Sequence, residues 1–231
     1  MSRLFPDRFD TARLILRPIA AADAPAIFAG YAQDPDVVRF LTWRRHQTIV
    51  ETEAYIAGCL TKPAASARTY VLTERIDSRL LGAFDLRRPE SHRFDCGYVL
   101  ARPFWGRGLM TEALTEIAGW AMRQDGIWRL GAVCDIDNLA SARVMEKAGL
   151  AREGILRRWL VHPNISPEPR DCFSYAKCRY ATTRAAPGRP QDRAAGSQSE
   201  SSVTASAAGI AGRPGAAPDV NWSSCLDRRP D

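Results

Sequence analysis

The chain is poor in the residues that build metal sites. Of its 231 residues only three are histidine, His46, His92 and His162, and no two of them form a His-x-x-His pair. Six cysteines are present, Cys59, Cys96, Cys134, Cys172, Cys178 and Cys225, but none makes a Cys-x-x-Cys pair and the spacings match no zinc motif. Neither a metal site nor a disulfide framework is expected. Cys96 and Cys134 sit among apolar residues and read as small core side chains. No apolar run reaches the roughly 18 residues a membrane span needs. The opening MSRLFPDRFD lacks the apolar centre of a signal peptide, so the expected compartment is the cytoplasm. Clustered basic residues are missing too. The net charge is +6 but is spread along the chain, which argues against a nucleic-acid footprint. It still suits a small polyanion.

What is present is a core. Hydrophobic residues form 45% of the chain and charged ones 25%, the balance of an ordinary globular domain. This composition ends near Tyr180. Residues 182–231 are mainly Ala, Gly, Ser, Pro and Arg, too poor in large apolar groups to offset ordering entropy, and are expected to be a disordered tail behind a domain of residues 1–181.

Within that domain the pattern alternates. Residues 13–19 read as a strand, Asp23 as the cap of a helix to residue 32, and residues 48–60 as a helix opened by a Thr48/Glu51 capping box. Residues 68–76 and 79–86 form a hairpin about Asp77-Ser78, and 93–100 a further strand. A long helix over 106–124 shows Leu109, Ala113, Ile117 and Ala121 on one stripe. A strand at 128–134, a helix at 139–147 closed by Gly149, and strands near 151–161 and 172–179 complete the order β-α-α-β-β-β-α-β-α-β-β. The fold class is α/β, with mixed layers.

The segment Tyr98-Val-Leu-Ala-Arg-Pro-Phe-Trp-Gly-Arg-Gly-Leu-Met-Thr-Glu-Ala113 carries the chemistry. A strand ends, Pro103 breaks it, two glycines follow and a helix begins. Gly106 and Gly108 permit a tight turn with no Cβ against a ligand. The first N–H groups of the helix have no internal partner and lie at its positive end, a site for phosphate to which Arg107 adds charge. Position 111 is Thr, so the dinucleotide pattern Gly-x-Gly-x-x-Gly fails, and no Gly-Lys-[Ser/Thr] follows, so a P-loop fails as well.

This segment resembles the acetyl-CoA signature of the GNAT acetyltransferases. It falls on Trp105, Gly106, Arg107, Gly108, Leu109 and Met110, with Trp in the first place and Met in the last. Trp-Gly-x-Gly followed by Thr-Glu-Ala resembles the RimJ/RimL-like branch in particular. So do Asp95-Cys-Gly-Tyr-Val-Leu100, Asn138-Leu-Ala-Ser141 with Glu146-Lys-Ala-Gly-Leu150, and Asp34-Pro-Asp-Val-Val-Arg-Phe-Leu-Thr-Trp43.

The resemblance implies a GNAT fold: a mixed, mostly antiparallel central sheet flanked by helices, with splayed middle strands. It also implies direct transfer of an acetyl group from acetyl-CoA to an amine, without metal. The Leu100 backbone would hold the pantetheine arm. Trp105, Gly106, Arg107, Gly108, Leu109, Met110 and Thr111 would form the pyrophosphate loop, and Asn138 would bond the pantetheine side or merely cap the next helix. Ser141 would protonate the leaving thiolate. Asp95 would take the amine proton directly or through water, or only attract an ammonium. Tyr98 and Trp43 would line the acceptor pocket. The acceptor partner is a protein N-terminal amine, such as that of a ribosomal protein, or a small-molecule amine, met by a monomer or homodimer; nucleic acid and membrane are not expected partners. A non-catalytic acyl-CoA sensor is the other reading of the same motifs.

Overall fold

Every second residue of a strand faces the same way, so pairing register assigns the two faces of the sheet. The computed structural model describes residues 4–180; the tail expected at 182–231 lies outside the described residues. Eight strands form one sheet: β1 (Phe9–Asp10), β2 (Leu14–Pro18), β3 (Ala67–Glu74), β4 (Leu80–Glu90), β5 (Arg93–Leu100), β6 (Arg129–Asp135), β7 (Ala151–Val161) and β8 (Pro169–Cys178). Their spatial order is β1-β2-β3-β4-β5-β6-β8-β7. Only β5 and β6 run parallel; every other neighbouring pair is antiparallel. The expected mixed, mostly antiparallel sheet is therefore present.

Tyr70, Phe84 and Tyr98 are register partners and share one face. That face is covered by α4 (Leu109–Arg123) and α5 (Leu139–Lys147). Phe94 stacks on Trp120 of α4 at 5.3 Å, and Tyr175 of β8 donates to Glu146 of α5 at 2.8 Å. The stripe read from the sequence, Leu109, Ala113, Ile117 and Ala121, is buried against it.

Thr69, Asp85 and Gly97 point the other way. This second face receives α1 (Ala24–Ile27), α2 (Pro35–Val38) and α3 (Ile49–Thr61). Lys62, just after α3, meets buried Asp85 at 3.1 Å, and Thr69 donates to the same carboxylate at 2.7 Å. The entry of α3 follows its sequence signal: Glu51 accepts from the Thr48 N–H at 3.1 Å.

Two local readings are corrected. Asp23 caps no helix by its side chain; its carboxylate turns back to the Ala20 N–H at 2.8 Å and pairs with Arg17. The helix expected over 23–32 is instead a 3-10 turn (Ala21–Asp23), α1, and a π-helical turn (Phe28–Ala32). The long helix starts at Leu109, not 106, because Gly106 and Gly108 both adopt φ of +72° and are not helical. Among the described residues no helix is long and apolar enough to cross a membrane.

Candidate active site

The loop between β5 and α4 is open above its backbone. Gly106 and Gly108 hold φ of +72°, a region that L side chains enter only with strain. A Cβ on Gly106 would meet nothing within 4 Å, and one on Gly108 only the Arg13 guanidinium at 3.7 Å. The first α4 bond runs from Glu112 N–H to Gly108 O at 3.0 Å. The N–H groups of Leu109, Met110 and Thr111 therefore have no acceptor in the helix and lie at its positive end. Leu109 and Met110 bury their side chains, so these positions offer backbone alone.

The loop is braced from the turn between β1 and β2. Arg13 donates to the Arg107 carbonyl at 2.9 Å and to Glu112 at 2.7 Å, and Thr11 donates to Glu112 at 2.6 Å. Burial opposes charge on Glu112, but the bonds from Thr11 and Arg13 outweigh it and hold the carboxyl below its usual range. The Arg107 guanidinium lies over the Phe104 ring and 3.5 Å from Glu74, which keeps it beside the loop.

Next to this loop the sheet opens. β5 and β6 pair only at Arg93↔Arg129, Phe94↔Leu130 and Asp95↔Gly131; beyond these the strands part. Across β4 and β5 the Ala101 N–H bonds Leu81 O at 2.8 Å, which continues the register and puts the hydrogen-bonded pairs on odd-numbered residues of β5. The backbone groups of Tyr98 and Leu100 thus point into the gap. One is already taken: the Trp105 indole donates to Leu100 O at 2.6 Å. The Leu100 N–H and both Tyr98 groups remain for an extended ligand arm. An open glycine loop at a helix N-terminus leading into unpaired strand backbone fits a phosphorylated donor with an amide-containing arm.

Residues 13–151 match the acetyltransferase (GNAT) domain family. The chain belongs to the GNAT acetyltransferases. Acetyl-CoA-dependent N-acetyl transfer is accordingly its enzyme class. The uncharacterized N-acetyltransferase YoaA of Bacillus subtilis (strain 168) is 30% identical over 175 residues, covering 74% of this chain and 97% of YoaA. Two solved structures share the fold. RimL, a ribosomal L7/L12 α-N-protein acetyltransferase in complex with coenzyme A, superposes with a TM-score of 0.63 at 22% identity, over 73% of this chain and 95% of RimL. An acetyltransferase from Salmonella typhimurium that modifies the N-terminal serine of L7/L12 gives 0.64 at 21%, over 74% and 97%.

On the α5 side of the gap this acetyltransferase holds a pair of hydroxyls. Tyr98 Oη lies 2.9 Å from Ser141 Oγ. Burial lifts the Tyr98 phenol far above its ordinary range, the Ser141 bond offsetting only part of this, so it stays protonated. Burial likewise pushes the neighbouring Cys134 thiol up to about 12, which keeps it neutral. Asn138 accepts from the Ser141 N–H at 3.1 Å, so its oxygen caps α5 and its amide nitrogen is what remains for a ligand. Tyr98 was expected at the acceptor wall, but it stands on the helix side with Ser141.

The second face of the gap carries Asp95, and the structure sets it low. Asp95 is level with Gly131, where the strands still pair, and its carboxylate fills the space a Gly131 side chain would need. Arg93 stands 4.0 Å away. Asp135, the last residue of β6, lies four residues or about 13 Å along that strand from Gly131. Trp43 is buried, its ring 4.7 Å from that of His46 and 5.7 Å from that of Tyr55. Asn164 ties this segment to the β7–β8 loop, donating to Val38 O and Trp43 O at 2.8 Å each.

Sequence reasoning did not single out the Arg13–Glu112 brace, the Trp105–Leu100 bond, or the group of His162, Asp135 and Arg170 beside Asn164.

Proposed function

We propose that the enzyme acetylates the N-terminal α-amine of a polypeptide. The observation that carries this reading is the parting of β5 from β6 beyond Asp95, with the glycine loop and the Tyr98–Ser141 hydroxyls on the helix side of the sheet. Two reactants meeting end to end across a sheet suit direct transfer, since the amine and the thioester are held together without a covalent enzyme intermediate. The fold likeness to enzymes acting on L7/L12 favours a peptide acceptor.

In this reading the N–H groups of residues 109–111 hold the pyrophosphate, and the Leu100 N–H donates to the carbonyl oxygen as charge develops there. Ser141 gives its proton to the departing sulfur and is resupplied by Tyr98. Ser141→Ala is expected to lower kcat about 10²-fold while leaving acetyl-CoA affinity within a few-fold, measured by thiol release and calorimetry; equal rates would take the hydroxyl out of the reaction. Asp95, at the closed end, attracts the cationic acceptor. Asp95→Asn is expected to raise the acceptor KM about five-fold, as removal of one partly exposed charge does, with kcat retained.

The test of the function is a thiol-release screen with acetyl-CoA against a serine-initiated peptide and against spermidine, with the product identified by mass spectrometry. N-terminal acetylation of the peptide is the expected result. Turnover of spermidine alone would reassign the acceptor to small amines.

A further inference from the structure

Glycine makes the turn before α4 possible and also leaves it loose. The peptide unit joining Arg107 to Gly108 carries the Arg107 carbonyl on one side and the Gly108 N–H on the other, since a trans peptide directs the two oppositely. Turning this unit over changes ψ of Arg107 and φ of Gly108. Glycine passes between φ of +72° and negative φ at little cost. One orientation offers an N–H where the other offers a carbonyl oxygen, and an oxygen facing phosphate repels it. The residue types of the turn do not choose between the two.

The choice is made by Arg13, which lies in the turn between β1 and β2. Its Nη1 donates to the Arg107 carbonyl at 2.9 Å. The Gly108 N–H therefore points away from the guanidinium. Gly108 is exposed, and among the described residues its N–H has no acceptor. The Arg13 guanidinium lies against the turn, with Nη2 3.7 Å from the place a Gly108 Cβ would take.

The same side chain reaches the helix. Arg13 Nε donates to one oxygen of Glu112 at 2.7 Å, and the Arg13 backbone N–H to the other at 2.8 Å. Glu112 is in the first turn of α4, where its charge opposes an anion at the helix N-terminus. Arg13 pairs with that charge. Arg13 is itself held: Arg75 N–H donates to the Arg13 carbonyl at 2.9 Å, and the Arg75 guanidinium to Thr11 O at 3.0 Å. The Thr11 hydroxyl donates to Glu112 at 2.6 Å. The Arg13 side chain is about half exposed, and an ion pair so placed adds little to stability. The fold does not need this contact, but the orientation of one peptide does.

We propose that Arg13 is a positioning residue for the acetyl donor. By holding the Arg107 carbonyl it keeps the Gly108 N–H turned to the pyrophosphate, and by pairing with Glu112 it quiets a negative charge at the same helix end. The inference rests on the acetyltransferase reading above, with the glycine loop as its phosphate site, and adds the group that sets the loop before the donor arrives. A site that is competent only part of the time binds more weakly by that fraction. If release of the carbonyl leaves the competent orientation about one-tenth populated, affinity falls about tenfold, and the unpaired Glu112 charge adds to the loss.

The experiment compares the full chain with its Arg13→Gln and Arg13→Lys variants, each shown to be folded by circular dichroism. Acetyl-CoA affinity is measured by calorimetry, and the Gly108 amide is followed by NMR in isotope-labelled protein. The parent is expected to give one Gly108 amide signal that shifts when acetyl-CoA saturates the chain. In Arg13→Gln the affinity is expected to fall about 10- to 30-fold. Its Gly108 signal is expected to broaden or double in the free protein and to return to one on saturation. Arg13→Lys keeps the cation but not the fork that reaches carbonyl and carboxylate together, so its affinity is expected between the other two. Parent-like affinity in Arg13→Gln, or a loss with a Gly108 signal as single and sharp as the parent's, would overturn the assignment. A parent Gly108 amide that ignores acetyl-CoA would overturn it without any variant. Absence of acetyl-CoA binding by the parent protein would instead overturn the acetyltransferase reading, and this inference with it.

Discussion

Gly108→Asp is expected to abolish acetyl-CoA binding while leaving a folded protein. Gly108 holds φ of +72° at the N-terminus of α4, and a side chain there bears about 1–2 kcal/mol of backbone strain. That alone does not unfold a domain of this size. The site has room as well, since the nearest atom to a Cβ is the Arg13 guanidinium at 3.7 Å. What changes is charge. The new carboxylate stands beside three unpaired N–H groups, where the proposed pyrophosphate would lie. Like charges about 4 Å apart near a protein surface repel by roughly 4 kcal/mol, and each 1.4 kcal/mol is tenfold in affinity, so a loss of at least about 10²-fold is expected. Calorimetry on a variant with an intact circular-dichroism spectrum measures it. Gly108→Ala supplies the control, with strain but no charge and a loss of about tenfold or less. Wild-type affinity in Gly108→Asp would remove the loop from the donor site.

Gly82→Ala is expected to strike stability and the donor site together. Gly82 lies on β4 opposite Leu100. A Cβ there would sit 2.1 Å from Val99 O, 3.0 Å from Leu100 Cα and 3.1 Å from Val99 C, all backbone. No rotamer relieves that contact; β5 must move at the end that points into the gap. Forcing one carbon into packed backbone destabilises by about 3 kcal/mol, which in a domain of this length lowers Tm by about 10 °C. The same displacement carries the Leu100 N–H away from its ligand position, so acetyl-CoA affinity is expected to fall as well. Thermal denaturation of the full chain tests the first effect and calorimetry the second. A Tm within 2 °C or so of the parent would mean that β4 and β5 have slack that their spacing does not suggest.

Local signals carried much of the fold. Thr48 and Glu51 announced the start of α3 because a capping box is closed within one turn. Gly106 and Gly108 announced a turn because φ of +72° is written into the residue type. The stripe from Leu109 to Ala121 announced which side of α4 is buried, since helical spacing alone aligns it. Asp23 misled for the same local reason. It is a good cap in isolation, but Arg17 on β2 offered a charged partner that outcompeted the helix N–H groups.

The site divides along the same line. The donor loop, Ser141 one turn after Asn138, and the acidic residue on β5 were legible because each depends on residues a few positions apart. The parting of β5 from β6 was not, since it depends on a register between segments more than thirty residues apart in the chain. Nor was the meeting of His162 with Asp135 and Arg170, which come from the β7–β8 loop, β6 and β8. By itself the sequence determined the family, the order of the longer elements and the glycine turn before α4, but not the short β1 and α2, because backbone conformation and hydrophobic period are properties of short stretches. The tertiary structure alone decided that Asp95 lies at the closed end of the gap, where β5 and β6 still pair. Height along two parallel strands is set by how they pair, and pairing is a property of the assembled sheet.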